Sequence, residues 1–161
     1  MKIAEKVIIV EKYGMKMEYT IRDLVMLNGP TNPIVMSIIG NALLDLPVAF
    51  TTNRKELIFG EEDVNNGFLR GHEIGHVNLG HLDGIEKGVL VDINKEVAAD
   101  QYAVANGYCS LIDAIDCLTA IRDKIVSGPF GWFKKIILFK TYNQLSKRIQ
   151  FLWNGKFSIE S

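Results

Sequence analysis

The sequence predicts an α+β domain in which helices predominate, and three observations carry that expectation. Residues 7–21 alternate with the period of two expected of paired strands. Two further extended segments, Leu46–Thr51 and Glu56–Phe59, flank the polar run Thr52-Asn53-Arg54-Lys55. From Glu61 onward the apolar residues recur at helical spacing, interrupted at glycines. With 161 residues, 48% of them hydrophobic and 23% charged, the chain suits one soluble domain with a real core rather than two full domains.

Each element follows from local patterning. In the first segment Met15, Met17, Tyr19 and Ile21 share one side and Lys16, Glu18 and Thr20 the other. With a break at Tyr13-Gly14 this reads as a hairpin, a short first helix being the alternative. Asn28-Gly29-Pro30 is a turn, and Thr31 or Asn32 before Pro33 starts a helix whose apolar face is Ile34, Ile38, Leu43 and Leu44. Beyond the second strand pair, Val64, Phe68, Ile74 and Val77 form an apolar stripe up to Gly80. Gly84 and Gly88 mark a loop. Ile93–Asn106 forms a helix stopped by Gly107, and Ser110–Val126 another stopped by Gly128-Pro129. Trp132–Phe139 and Tyr142–Trp153 form two short helices. The chain divides into a supporting region (1–45), a central core (46–108) and a helical C-terminal part (109–161), all within a single domain.

Charge and composition narrow the function classes. Residues 1–120 carry 10 basic and 17 acidic side chains, and residues 121–161 carry 8 and 2. The basic tail is expected to pack against its own acidic body, and helical spacing puts its aromatic residues in the core, so nucleic acid is not an expected partner. Cys109 and Cys117, eight residues apart on a helix, make no disulfide framework and belong to no CxxC pair; they read as buried free thiols. Glu5, Lys6 and Glu11 interrupt the N-terminal apolar stretch. Neither Ile34–Leu44 nor Ile136–Phe139 reaches the roughly 18 residues of a membrane span, so a cytoplasmic protein is expected.

The chemistry is concentrated in ten residues that hold every histidine: His72, His76 and His81. His72-Glu73-Ile74-Gly75-His76 is an HExxH sequence within a predicted helix. Four helical positions turn about 400°, so His72 and His76 project from one face, placed to share one Zn2+. Glu73 stands beside them, where a carboxylate can take a proton from a metal-activated water. A catalytic zinc needs a third protein ligand. His81 lies out of phase with both histidines, and Leu79 and Leu82 occupy the positions where a metzincin has glycine and histidine, so that subclass is excluded. Glu96, on the next predicted helix, is the better ligand. Asp100, one turn further on, is placed to accept a hydrogen bond from a ligating imidazole, and Ala98 and Ala99 would let two helices approach. His81 then falls outside the ligand set, behind it.

His72–His76 with Glu96-x-x-x-Asp100 resembles the gluzincin metallopeptidases, particularly the HtpX and CAAX-prenyl-protease type in its small soluble form, the minigluzincins. Val48-Ala49-Phe50 and Leu57-Ile58-Phe59 are similar to the strand pair ahead of the zinc helix in that group. Asp100-Gln101-Tyr102-Ala103 through Leu118 resembles the segment after the glutamate ligand, and Lys147–Leu152 the C-terminal arginine helix. Tyr142-Asn143 stands where a His-Pro pair usually begins that last motif. The ImmA/IrrE type, which includes proteases of helix-turn-helix repressors, is a near relative by the same residues. The resemblance implies a zincin-like fold: a small mixed sheet with an edge strand packed on the HExxH helix, a glutamate-ligand helix and a helical C-terminal part.

The expected function is a zinc-dependent endopeptidase with Glu73 as general base and Zn2+ on His72, His76 and Glu96. Arg148 and Tyr142 are candidates to stabilise the transition state, and an edge strand at Ala49 and Phe50 is a candidate to bind an extended peptide or protein. A regulatory protease acting on a repressor, or a non-catalytic zinc-containing binding module, is the alternative.

Overall fold

A computed structural model describes residues 3–83 and 92–155. After a 3-10 turn at Ile3–Glu5, strands β1 (Val7–Lys12) and β2 (Met15–Thr20) form a hairpin, followed by helices α1 (Ile21–Asn28) and α2 (Pro33–Leu43). Strands β3 (Ala49–Thr51) and β4 (Leu57–Gly60) precede five helices: α3 (Gly67–Asn78), α4 (Ile93–Ala105), α5 (Leu111–Val126), α6 (Gly131–Ile137) and α7 (Phe139–Trp153). The α+β class holds, but the sheet is antiparallel throughout rather than mixed, in the order β2-β1-β4-β3. Two of its four strands come from the first 45 residues, so the supporting region is part of the same sheet as the central core.

Local sequence explains most boundaries. The β1–β2 hairpin turns through Tyr13 (φ 53°) and Gly14 (φ 79°), a two-residue turn whose positive φ values match the twist of paired strands. Asn32 caps α2 and Pro33 occupies its first turn; Asn66 caps α3, Asp92 caps α4 and Ser110 caps α5. Helix α1 departs from the sequence reading, which ran the strand on to Ile21. Thr20 and Asp23 form a reciprocal capping box that ends the strand and starts a helix. The loop expected at Gly84 and Gly88 lies outside the described residues.

The central strands β1 and β4 are buried on both faces of the sheet. Ile9 and Phe59, paired across β1 and β4, face a core built with Phe68, Leu69, Ala103, Leu118, Leu145 and Leu152. Ile8, Val10 and Ile58 face the opposite way, against Ile21, Leu24, Val35 and Ile38 of α1 and α2. Double burial explains why β1 reads as the continuous run Val7–Val10. The alternating strand, β2, is the more exposed edge, with Met15 and Met17 open to solvent. On α2 the buried positions are Val35 and Ile38, and Leu43, expected on the apolar face, is exposed.

Helices α3 and α4 pack most closely. A Cβ at Gly71 would lie 2.6 Å from Tyr108 Cβ and 2.8 Å from Ala103 Cβ, and one at Gly75 would lie 3.0 Å from Tyr102 Cβ. The Gly71-x-x-x-Gly75 spacing therefore presses the face of α3 that carries the histidines onto α4. Phe68, Leu69, Gly71, His72, Glu73, Gly75 and His76 are its buried residues, in place of the expected Ile74 and Val77. No helix among the described residues is long and apolar enough to cross a membrane.

Candidate metal centre

Helix α3 presents His72, Glu73 and His76 together, all buried, with a potential ligand atom of each within 4.8 Å of the others; such a group could hold a metal ion. The two imidazoles converge through Nε2, 3.0 Å apart. Helix α4 brings Glu96 to the same point, its Oε2 2.8 Å from His72 Nε2 and 3.4 Å from His76 Nε2. Tetrahedral coordination at roughly 2.0–2.1 Å sets ligand atoms about 3.3 Å apart, so the donor set fits a small divalent cation. Two imidazole lone pairs at 3.0 Å repel unless a proton or a cation stands between them. A proton on His72 Nε2 satisfies one contact, to Glu96, whereas a cation satisfies all three.

The outer nitrogens are held by specific partners. His72 Nδ1 lies 2.7 Å from Asp100 Oδ1, and a carboxylate there only accepts, so the Nδ1 proton is fixed and Nε2 is the nitrogen that faces the centre, where a cation would replace its proton. His76 Nδ1 lies 2.8 Å from His81 Nδ1. Burial, then the neighbouring His76, lowers the His81 pKa, so His81 is neutral and serves as acceptor when His76 carries its proton on Nδ1. His81 thus sits behind His76, not among the converging atoms.

Asp100 is wholly buried and is gripped by Arg148 of α7, whose Nε donates to Oδ2 at 2.8 Å and Nη2 to Oδ1 at 2.7 Å. Burial opposes the charge on Asp100, but the guanidinium outweighs it and holds the carboxyl below its usual range. Burial likewise disfavours a charged His72, yet Glu96 and Asp100 on either side raise its pKa to about 10. Any cation at this point meets the same favourable field. Glu96 is itself held well below the carboxylate range: burial pushes it up, while His72 and the hydrogen bonds from both imidazoles pull it down further.

Glu73 projects beside this cluster, its Oε2 3.8 Å from His72 Nε2. Burial raises its pKa, the direction that brings a carboxyl toward exchanging a proton near neutrality. The Thr51 hydroxyl at the end of β3 lies 2.9 Å from Glu73 Oε1 and 3.1 Å from the Glu73 carbonyl; its one proton serves either acceptor and ties the edge strand to α3. His72, Glu73, His76, Glu96 and Arg148 line a cleft of about 280 Å³ together with Ala49, Phe50 and Thr51 of β3 and Thr141 and Leu145 of α7.

Several sequence expectations change here. Arg148, expected to face a substrate, lines the cleft but commits Nε and Nη2 to Asp100, with Nη1 3.9 Å from Glu96. Tyr142 packs against the core with Lys135 over its ring at 4.5 Å, and Thr141 lines the cleft in its place. Sequence reasoning placed Thr51 on the edge strand but missed its bond to Glu73, and it missed the glycine pair. Gly71 and Gly75, four apart and interleaved with the histidines, were the available signal for close helix packing; nothing local marks Thr51. Cys109 and Cys117 are free and only partly buried, and desolvation pushes both thiols up to about 11, which keeps them unreactive near neutrality. No protein-family model matches the chain, no curated protein matches it, and no solved structure matches it.

Proposed function

We propose that this protein is a zinc-dependent endopeptidase that binds its substrate as an extended chain. The observation that carries the reading is the convergence of His72, His76 and Glu96 on the floor of a cleft that also holds Glu73 and runs beside the edge strand β3. His72, His76 and Glu96 would hold the ion. Zinc bound there supplies Lewis acidity, acidifying a water and polarising the scissile carbonyl. Glu73 takes the proton of the attacking water and returns it to the leaving amine, with the Thr51 hydroxyl holding one carboxylate oxygen in place. Asp100 fixes the tautomer of His72, and Arg148 keeps Asp100 ionised. β3 lies at the end of the strand order, so a substrate strand can add along Ala49–Thr51.

The test combines elemental analysis with a peptide-library cleavage assay on wild type, Glu96→Ala and Glu73→Gln. One zinc per wild-type chain, sharply reduced in Glu96→Ala, establishes the ligand set. Hydrolysis abolished in Glu73→Gln with zinc retained establishes the enzyme, because a base is dispensable for holding the ion. Zinc bound without any hydrolysis turns the assignment to a binding module. A wild-type protein that takes up no zinc after reconstitution ends it.

A further inference from the structure

Between Phe130 and Phe139 the chain leaves its apolar side chains in solvent. Phe130, Trp132, Phe133, Ile136, Ile137 and Phe139 are between 48% and 68% exposed, where helical spacing led to the expectation of core packing. Trp132 and Ile136, and Phe133 and Ile137, stand one turn apart on α6, and the Trp132 and Phe133 rings meet edge to face at 5.8 Å. The inward face is spent on other contacts. Gly131 is buried where a Cβ would collide with the Val126 carbonyl, and Leu138 packs against the main core. An exposed apolar face of this length marks a contact surface.

The charges around it identify the kind of surface. From Lys124 to Gly155 the chain contains Lys124, Lys134, Lys135, Lys140, Lys147 and Arg148 and no aspartate or glutamate. Among the described residues, Lys134, Lys135, Lys140 and Lys147 make no ion pair. Lys134 donates to the Lys124 carbonyl, and Lys135 lies over the Tyr142 ring, so neither contact supplies a carboxylate partner. A second copy would set these lysines against their own counterparts across a two-fold interface. A nucleic acid would meet the charge but leave the isoleucines and phenylalanines unused. An anionic bilayer takes both: phosphate and carboxylate headgroups for the lysines, the acyl boundary for the aliphatic and aromatic side chains, and the interfacial layer for Trp132. We infer that α6 and the start of α7 form a peripheral docking surface for anionic lipid membranes, lying in the interface without crossing it.

The test is flotation of the full chain with vesicles of neutral phosphatidylcholine and of phosphatidylcholine containing phosphatidylglycerol, with Trp132 emission read in a Trp153→Phe background. The expected result is binding to the anionic vesicles at least roughly tenfold tighter than to the neutral ones, weakened by salt, with a blue-shifted Trp132. Lys134→Gln with Lys135→Gln weakens it by roughly thirtyfold at about one elementary lysine contribution each. Ile136→Ser with Ile137→Ser removes the blue shift while circular dichroism and the thermal midpoint stay unchanged. Absence of binding to anionic vesicles overturns the proposal, as does binding that neither pair of substitutions weakens. Self-association abolished by Ile136→Ser with Ile137→Ser, without vesicle binding, assigns the face to a second copy instead. Salt-sensitive retention on DNA without vesicle binding assigns it to nucleic acid.

Discussion

Asp100 holds two partners at once, and removing its charge tests how much of the site depends on it. The carboxylate is wholly buried, accepts both hydrogen bonds from Arg148 and faces His72 Nδ1 at 2.7 Å. Asp100→Asn leaves a buried guanidinium without its counter-charge and turns an obligate acceptor into a group that can also donate toward His72. The expected cost is about 3–5 kcal/mol, the usual consequence of breaking one side of a buried pair. Thermal unfolding should fall by roughly 10 °C for a chain of this size. Arg148→Lys should not match wild type, because a lysine cannot reproduce the two parallel hydrogen bonds. A midpoint unchanged in Asp100→Asn would show that the pair is not needed to hold α4 and α7 together.

Two element-scale contacts position the histidine helix, one by packing and one by charge. Gly71→Ala puts a methyl 2.6 Å from Tyr108 Cβ, forcing α3 from α4 at an expected cost of about 1–3 kcal/mol in urea denaturation. Gly40→Ala, in α2, meets nothing within 4 Å and should stabilise by about 0.5–1 kcal/mol, so the pair separates crowding from helix propensity. On the opposite side, Arg70 of α3 donates to Glu11 of β1 at 2.7 and 3.1 Å. The hydrogen bond from Arg70, partly offset by burial, lowers the Glu11 pKa. A carboxylate with a depressed folded pKa adds stability that is present above its unfolded value and lost as pH falls through the folded one. Glu11→Gln should therefore cost about 1–2 kcal/mol at pH 7, and the deficit should shrink toward zero below about pH 4. Urea curves at the two pH values check it.

At the scale of the molecule, the proposed ion would join α3 and α4 across a gap that no covalent bond spans. A ligand that binds only the native state raises stability by about 2.7 kcal/mol at a hundredfold excess over its Kd. Chelation of metal-loaded protein should lower the thermal midpoint by several degrees, and a variant with both His72→Ala and His76→Ala should show no chelator effect. An equal chelator effect in that variant would place the ion elsewhere. The fold gives the same α3 a second constraint, since β3 reaches it through Thr51 at the wall of the cleft.

What could be read from the order of residues was what local geometry decides. A helix repeats every 3.6 residues, so HExxH already places His72 and His76 on one face, and Glu96 and Asp100 share a face for the same reason. Turn and capping residues set the Tyr13-Gly14 hairpin and the starts of α2 and α5. The Arg148–Asp100 pair spans 48 positions and the Thr51–Glu73 bond 22, and no local periodicity encodes either. The same holds for the pairing of β1 with β4, which joins two hairpins into one sheet. Periodicity also misled at α6. It correctly groups residues of one kind on one side of a helix, but only the tertiary structure decides what that side meets. On α3 the side that carries the histidines is pressed against α4, and on α6 the apolar side faces solvent.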